Sequence, residues 1–299
     1  MSAETLGSVE QEKPKYRLMV TRHAERLPSG ELSEEGKQRS QEKGQSLKES
    51  TEVIKGYASD EKSKRTIQTS DLISKASKTK SPMTGEIYRT KVVSDIQYDI
   101  LKPDLAHIPK QAKKVIDQAT AEEAGLAPDT DLESLPKEEQ ERIAPIRQKN
   151  QELGFRYVLE QPEAVHRMAM GLAHQLSKEL KLIDRYTRFR DYKQSPAQKD
   201  VILNTVTHGM FSEALFMEAG VLRKADGTEV RGADIINDPD FGGFIQPAES
   251  FYLDIENPDQ IPDVIPVRFE GRNVPGTFML DRKKIEGLNE EYLNWDTSQ

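Results

Sequence analysis

Two imidazoles and two guanidiniums occupy positions from which they can meet. His23 and His208 each follow an apolar run, Leu18-Met19-Val20 and Val201-Ile202-Leu203, and each precedes a loop that leads into a helical pattern. If both runs are central strands of one sheet, the rings converge at its carboxyl end, where open α/β sheets take their ligands. Arg22 adjoins His23, and Arg65 opens the segment Arg65-Thr66-Ile67-Gln68-Thr69 just after a further strand-like run. A guanidinium presents a rigid fork of donors that matches phosphate oxygens, which an ammonium cannot do. The set therefore favours a phosphoryl group over a carboxylate or a neutral ligand. His107, His166 and His174 show no partner in the sequence. His166 and His174 recur on one helical face without a further carboxylate at ligand spacing, so they read as structural and no metal is expected. Lys62 and Lys64 read as solvated surface.

The elements that must position these groups follow from periodicity. Tyr16 to Thr21 reads as a buried strand of a parallel sheet. Ser33 opens a helix reaching Leu47 or Glu49, with Glu34 and Glu35 in its first turn. Val53 to Ala58 predicts a second strand, Lys64 to Lys75 a helix, and Lys91 to Ile96 a third strand. From Leu101 to Leu153 Lys, Gln, Glu, Ala and Pro dominate and Phe, Tyr and Trp are absent, which predicts a helical insertion or lid. The core resumes at Phe155 to Leu159, and a long helix follows from Glu163 to about Leu182. Val201 to Val206 is the clearest buried strand, and a helix from Phe211 to Ala219 ends at Gly220. Leu222 to Gln246 reads as a second, polar insertion. Phe251 to Ile255, Val264 to Phe269 and Thr277 to Leu280 read as edge strands or hairpins. The expected fold is a three-layer α/β sandwich with a central, mostly parallel sheet and helices on both faces.

Composition narrows the function. The 299 residues can bury a full core in one domain, with residues 1–14 as a disordered tail. There is no cysteine, so disulfides, thiolate metal sites and cysteine nucleophiles are excluded together. A net charge of −8 opposes an extended nucleic-acid contact. Residues 1–15 lack the basic-then-apolar order of a secretory signal, and no later stretch has the apolar length of a membrane span. A cytoplasmic protein that touches neither nucleic acid nor membrane is expected, and the sequence leaves its oligomeric state open.

At this point the chain resembles the histidine phosphatase superfamily, in its phosphoglycerate mutase-like branch. The resemblance is carried by Arg22-His23-Ala24-Glu25, Leu32-Ser33-Glu34-Glu35-Gly36, Arg65-Thr66-Ile67-Gln68-Thr69 and Val206-Thr207-His208-Gly209, in this order. It covers Tyr16 to about Thr69 and Glu163 to about Leu280. It implies that His23 attacks phosphorus in line, that Arg22, Arg65 and His208 surround the phosphoryl oxygens, and that water then cleaves the phosphohistidine without metal or cofactor. The substrate would be a small phosphorylated molecule or a phosphopeptide. Gly209 after His208 departs from the histidine-aspartate variant of the acid phosphatases. By the resemblance the proton donor to the leaving oxygen is Asp99, with Asp95 and Glu25 as alternatives. The segment from Ala58 to Lys64 is also longer than the family's usual turn. Two other readings are a phosphomutase of the same family and a regulatory protein that binds phosphate but turns over weakly.

Overall fold

The structure, a computed structural model, describes residues 16–47, 51–58, 64–77, 91–93, 98–193, 200–257 and 260–296. The expected tail at 1–14 lies outside them, as does Asp95. The strands are β1 (Tyr16–Arg22), β2 (Thr51–Ala58), β3 (Lys91–Val92), β4 (Asp200–Thr207), β5 (Gly220–Arg223), β6 (Glu229–Arg231), β7 (Ser250–Ile255), β8 (Val264–Glu270) and β9 (Thr277–Asp281). The principal helices are α1 (Glu34–Leu47), α2 (Lys64–Ser77), α3 (His107–Glu123), α4 (Lys137–Leu159), α5 (Pro162–Lys193) and α6 (Gly209–Ala219), followed by a short α7 (Asp234–Asn237) and by α8 (Arg282–Asp296).

The strands form one sheet in the order β3-β2-β4-β1-β7-β8-β9-β5-β6. Only β3-β2, β2-β4 and β4-β1 pair parallel. The pairs from β1-β7 to β5-β6 are antiparallel. The expectation of a mostly parallel sheet is thus corrected to a mixed sheet with more antiparallel than parallel pairing. Connections of hairpin length link β5 to β6, β7 to β8 and β8 to β9, whereas a parallel neighbour needs a long crossover such as a helix. The strands β7, β8 and β9 are also interior rather than edge strands, since β3 and β6 take the edges.

Alternation along the strands makes the layers. Leu18, Val20, Val201, Leu203, Phe251 and Leu253 share one core with Met168, Leu172, Phe211, Leu215 and Ile285 of α5, α6 and α8. Met19, Ile202, Ile54 and Tyr252 face the other way, onto Leu47 of α1 and Ile73 of α2. Successive strand residues point to opposite faces, so a chain buried on both sides reads as continuously apolar, as β1 and β4 do. Helices accordingly cover both faces.

The segment from Leu101 to Leu153 is largely helical: α3 and the greater part of α4 pack on each other. They share a small core of Ala121, Leu132 and Ile143. The segment from Leu222 to Gln246 is less polar in place than its composition suggests. It supplies β6 and α7, and it buries Ile235, Phe241, Phe244 and Ile245. The structural histidines do have partners. His166 bonds to Glu291 at 2.7 Å, and His174 bonds to Asn289 at 2.6 Å and stacks on Tyr292, all three on α8. No helix among the described residues is long and apolar enough to cross a membrane.

Candidate phosphoryl-transfer site

Strand register brings the two histidines together. In the parallel ladder of β1 and β4, Arg22 lies opposite Thr207, so the residues that follow, His23 and His208, leave the sheet side by side. The His23 backbone N–H donates to the Thr207 carbonyl at 2.9 Å, which fixes the exit of the chain. The rings stand edge to face with centroids 5.3 Å apart. His208 is also the residue that precedes the first turn of α6, so the positive end of that helix adjoins the same place.

Each group is held from behind. His23 Nδ1 lies 2.8 Å from its neighbour's carbonyl, Ala24 O, and donation there places the lone pair on Nε2. The Ala24 N–H is in turn bound by Thr69 Oγ1 of α2 at 3.1 Å. Arg65, also on α2, places Nη2 3.1 Å from His208 Nδ1 and donates to it. Ser33 caps α1 by accepting from the Gly36 N–H at 3.1 Å, as its place in the sequence predicts. Gly36 is required there, because a Cβ would stand 2.3 Å from the Glu25 carbonyl oxygen.

Arg22 is only 2% exposed and is held by both excursions from the sheet. Its Nη2 donates to Gln151 Oε1 of α4, and its Nη1 donates to the Ile245 carbonyl. Its guanidinium lies over the Phe155 ring at 4.8 Å. Ile245 itself is tied down, since its N–H donates to the buried carboxylate of Glu213 at 2.7 Å. Arg272 bonds to the carbonyls of Phe241, Gly243 and Phe244 and to Glu249, which fixes the rest of that loop.

Electrostatics favours neutral imidazoles. Burial, then the charges of Arg65, His208 and Arg22, hold the His23 pKa well below the ordinary value. Burial and the charges of Arg65, Arg26 and Arg22 do the same for His208. Burial raises Glu213 to about 7 although Arg22 opposes it.

A cavity of about 650 Å³ opens over His23, His208 and Arg65. Arg26 and Lys64 line it beside them, and α3 and α4 supply its far wall through Lys113, Ile116, Arg147, Gln151 and Phe155. Of the residues singled out from sequence, His23, His208 and Arg65 line this cavity, and Arg22 sits behind Gln151. Asp99 does not line it. It is exposed and pairs with Lys102 at 2.7 Å, because Ile100 and Leu101 of the same turn are buried and leave the aspartate outward. Glu25 turns to Arg39 at 2.6 Å and faces a separate cleft, with burial raising its pKa. Among the described residues, the carboxylates that do line the cavity are Glu31 and Glu133. Sequence reasoning missed Gln151, Phe155 and Arg147. Their only signal is a spacing of four along one helix. No group of three or more His, Cys, Asp or Glu side chains among the described residues could hold a metal.

No family model and no curated protein matches the chain. Among solved structures it is similar to a phosphoglycerate mutase from Bacillus anthracis str. Sterne, with 15% identity, 93% of this chain and 99% of that one covered, and a TM-score of 0.38. It is also similar to the native mycobacterial glucosyl-3-phosphoglycerate phosphatase, with 12% identity, 88% of this chain and 100% of that one covered, and a TM-score of 0.34. Likeness this distant leaves the functional question to the side chains described above.

Proposed function

We propose that this chain is a histidine phosphatase, a hydrolase that removes a phosphoryl group from a monoester through a phosphohistidine on His23. The observation that carries it is the His23 ring, oriented by Ala24 O and kept neutral by burial and by neighbouring cations, at the mouth of a cavity also lined by His208 and Arg65. Neutral Nε2 attacks phosphorus and the P–O bond to the leaving group breaks. The Nδ1–H stays on the ring, donating to the Ala24 carbonyl throughout. Arg65 neutralises charge on the equatorial oxygens during transfer, and the neutral His208 ring and the amino end of α6 donate hydrogen bonds to them. Arg22 acts from behind, holding Gln151 and the Ile245 loop in register with the nucleophile. Water then attacks the phosphohistidine, releasing phosphate and returning the ring. Guanidinium charge does here what a metal ion does in other phosphoryl-transfer enzymes, so neither half-reaction needs one.

The test is to mix the protein with phenyl phosphate labelled in its phosphoryl group and quench in alkali, where phosphohistidine survives. Label on the parent protein, none on His23→Ala, and turnover unaffected by EDTA are expected. Equal labelling of His23→Ala, or loss of turnover on chelation, contradicts the mechanism. Because only an alkyl leaving group requires a proton donor, comparing phenyl with alkyl phosphates separates a full catalyst from a phosphate-binding protein that turns over weakly.

A further inference from the structure

Beyond the phosphoryl pocket, the cavity runs along α3 and α4, and its far wall is built around one buried cation. Arg147 is 1% exposed and lines the cavity. Its Nε and Nη2 both bond to Asp117 Oδ1, at 3.0 and 2.9 Å. Its Nη1 is buried and has no acceptor. A buried donor left without an acceptor carries its full desolvation cost, so such groups mark strain or a place for a ligand.

The position of this donor sets a length. On α4, Phe155 lies under Arg22, Gln151 accepts from Arg22, and Arg147 is one turn further along the same stripe. Four residues of helix span ~6 Å. Arg147 therefore stands about one helical turn along α4 from Gln151, on the same cavity wall, and the cavity of about 650 Å³ that joins it to His23 bounds the organic part of a substrate to a small one.

Charge sets the kind of leaving group. Lys113, which also lines the cavity, pairs with Asp117 Oδ2 at 2.6 Å and with Glu133 at 3.2 Å. Two cations and two carboxylates make this end of the cavity neutral in sum. A second phosphate or a carboxylate brought there would face Asp117 and Glu133 without a surplus cation, whereas a hydroxyl or carbonyl oxygen could accept the spare N–H at no charge cost. Ala112, Ile116 and Met210 add apolar wall.

Resting on the His23 mechanism above, we propose that Arg147 is a specificity-determining residue and that the substrate is a monoester whose organic part is short, uncharged and bears a hydroxyl or carbonyl acceptor. The experiment compares phenyl phosphate, which has no distal acceptor, with glycerol 3-phosphate and 3-phosphoglycerate, using the parent and Arg147→Lys. The lysine keeps a cation for Asp117 and removes the fork. The parent is expected to favour glycerol 3-phosphate over 3-phosphoglycerate by about tenfold or more in kcat/KM, the cost of bringing a carboxylate beside Asp117 and Glu133 without a surplus cation. Arg147→Lys is expected to raise KM for glycerol 3-phosphate about tenfold with kcat kept, and to leave phenyl phosphate within about twofold. A parent that prefers 3-phosphoglycerate overturns the proposal, and this needs no variant. So does a variant that loses phenyl phosphate turnover as much as glycerol 3-phosphate turnover, because that is a structural role. A parent inactive on phenyl phosphate as well defeats the His23 mechanism itself and this inference with it.

Discussion

Gly209→Ala tests whether Arg22 is held as rigidly as its contacts imply. A Cβ at position 209 would stand 3.1 Å from both Cδ and Nε of Arg22 and 3.2 Å from Cε2 of Phe155. Ordinary carbon contacts lie at about 3.5–4.0 Å, so the neighbours must give by a few tenths of an ångström. Arg22 has little freedom to do so, with Gln151 and the Ile245 carbonyl on its two terminal nitrogens and Phe155 beneath it. Two effects oppose. Alanine gains about 0.5–1 kcal/mol over glycine inside a helix, and much less at the first helical residue, which is where Gly209 lies. Overpacking a filled site costs about 1–3 kcal/mol. The steric term wins, for a net loss of about 1 kcal/mol, or about 2 °C in Tm for a chain of this size. Activity falls further, because a misplacement of about 1 Å near a reacting centre costs on the order of a hundredfold; a few tenths predicts about tenfold in kcat/KM. Calorimetry and steady-state hydrolysis of phenyl phosphate read the two quantities. An alanine variant with Tm equal to or above the parent's and with full activity would falsify the claim that Arg22 is clamped.

The remaining expectations concern titration and the acid. Since His23 must be neutral to attack and its pKa is depressed, the acid limb of kcat/KM, corrected for titration of the substrate, should fall well below about 6.5; a limb at or above that value removes the claimed effect of burial and Arg65. Asp99→Asn should leave hydrolysis of phenyl and alkyl phosphates unchanged, because the side chain pairs with Lys102 away from the cavity; selective loss on alkyl phosphates would return Asp99 to the mechanism. Glu213 has its folded pKa raised to about 7, so its contribution to stability is present at low pH and is lost as pH rises through about 4.5 to 7. The depressed histidines act in the opposite sense below about 6.5. The stability difference between Glu213→Gln and the parent isolates the carboxylate, and it should grow through that window and level off above it; a difference independent of pH would mean Glu213 is not buried as described.

What could be read from the sequence follows from how each element is buried. β1 and β4 are covered on both faces, so Leu18-Met19-Val20 and Val201-Ile202-Leu203 carry an unbroken apolar signal that points straight to His23 and His208. The Ser33 cap and the limits of α2 are local chemistry and needed no tertiary context. The order of β7, β8 and β9 is a different matter. Phe251 and Tyr252 are buried on opposite faces, yet a strand of six residues looks the same at an edge and in the interior until its neighbours are known. The partners that His166 and His174 find on α8 lie more than a hundred residues away, beyond any local pattern. Gln151 and Phe155 sit on a helix of largely polar composition, where a glutamine facing an arginine is indistinguishable from one facing water.

Arg22 also limits how the protein can be re-engineered. One guanidinium is shared by the α3/α4 hairpin, through Gln151, and by the loop before β7, through the Ile245 carbonyl. The hairpin is therefore not a detachable cassette. A chimera that imports a foreign hairpin to change substrate preference must bring an acceptor to the place of Gln151, or it leaves a buried cation beside the nucleophile with that anchor lost.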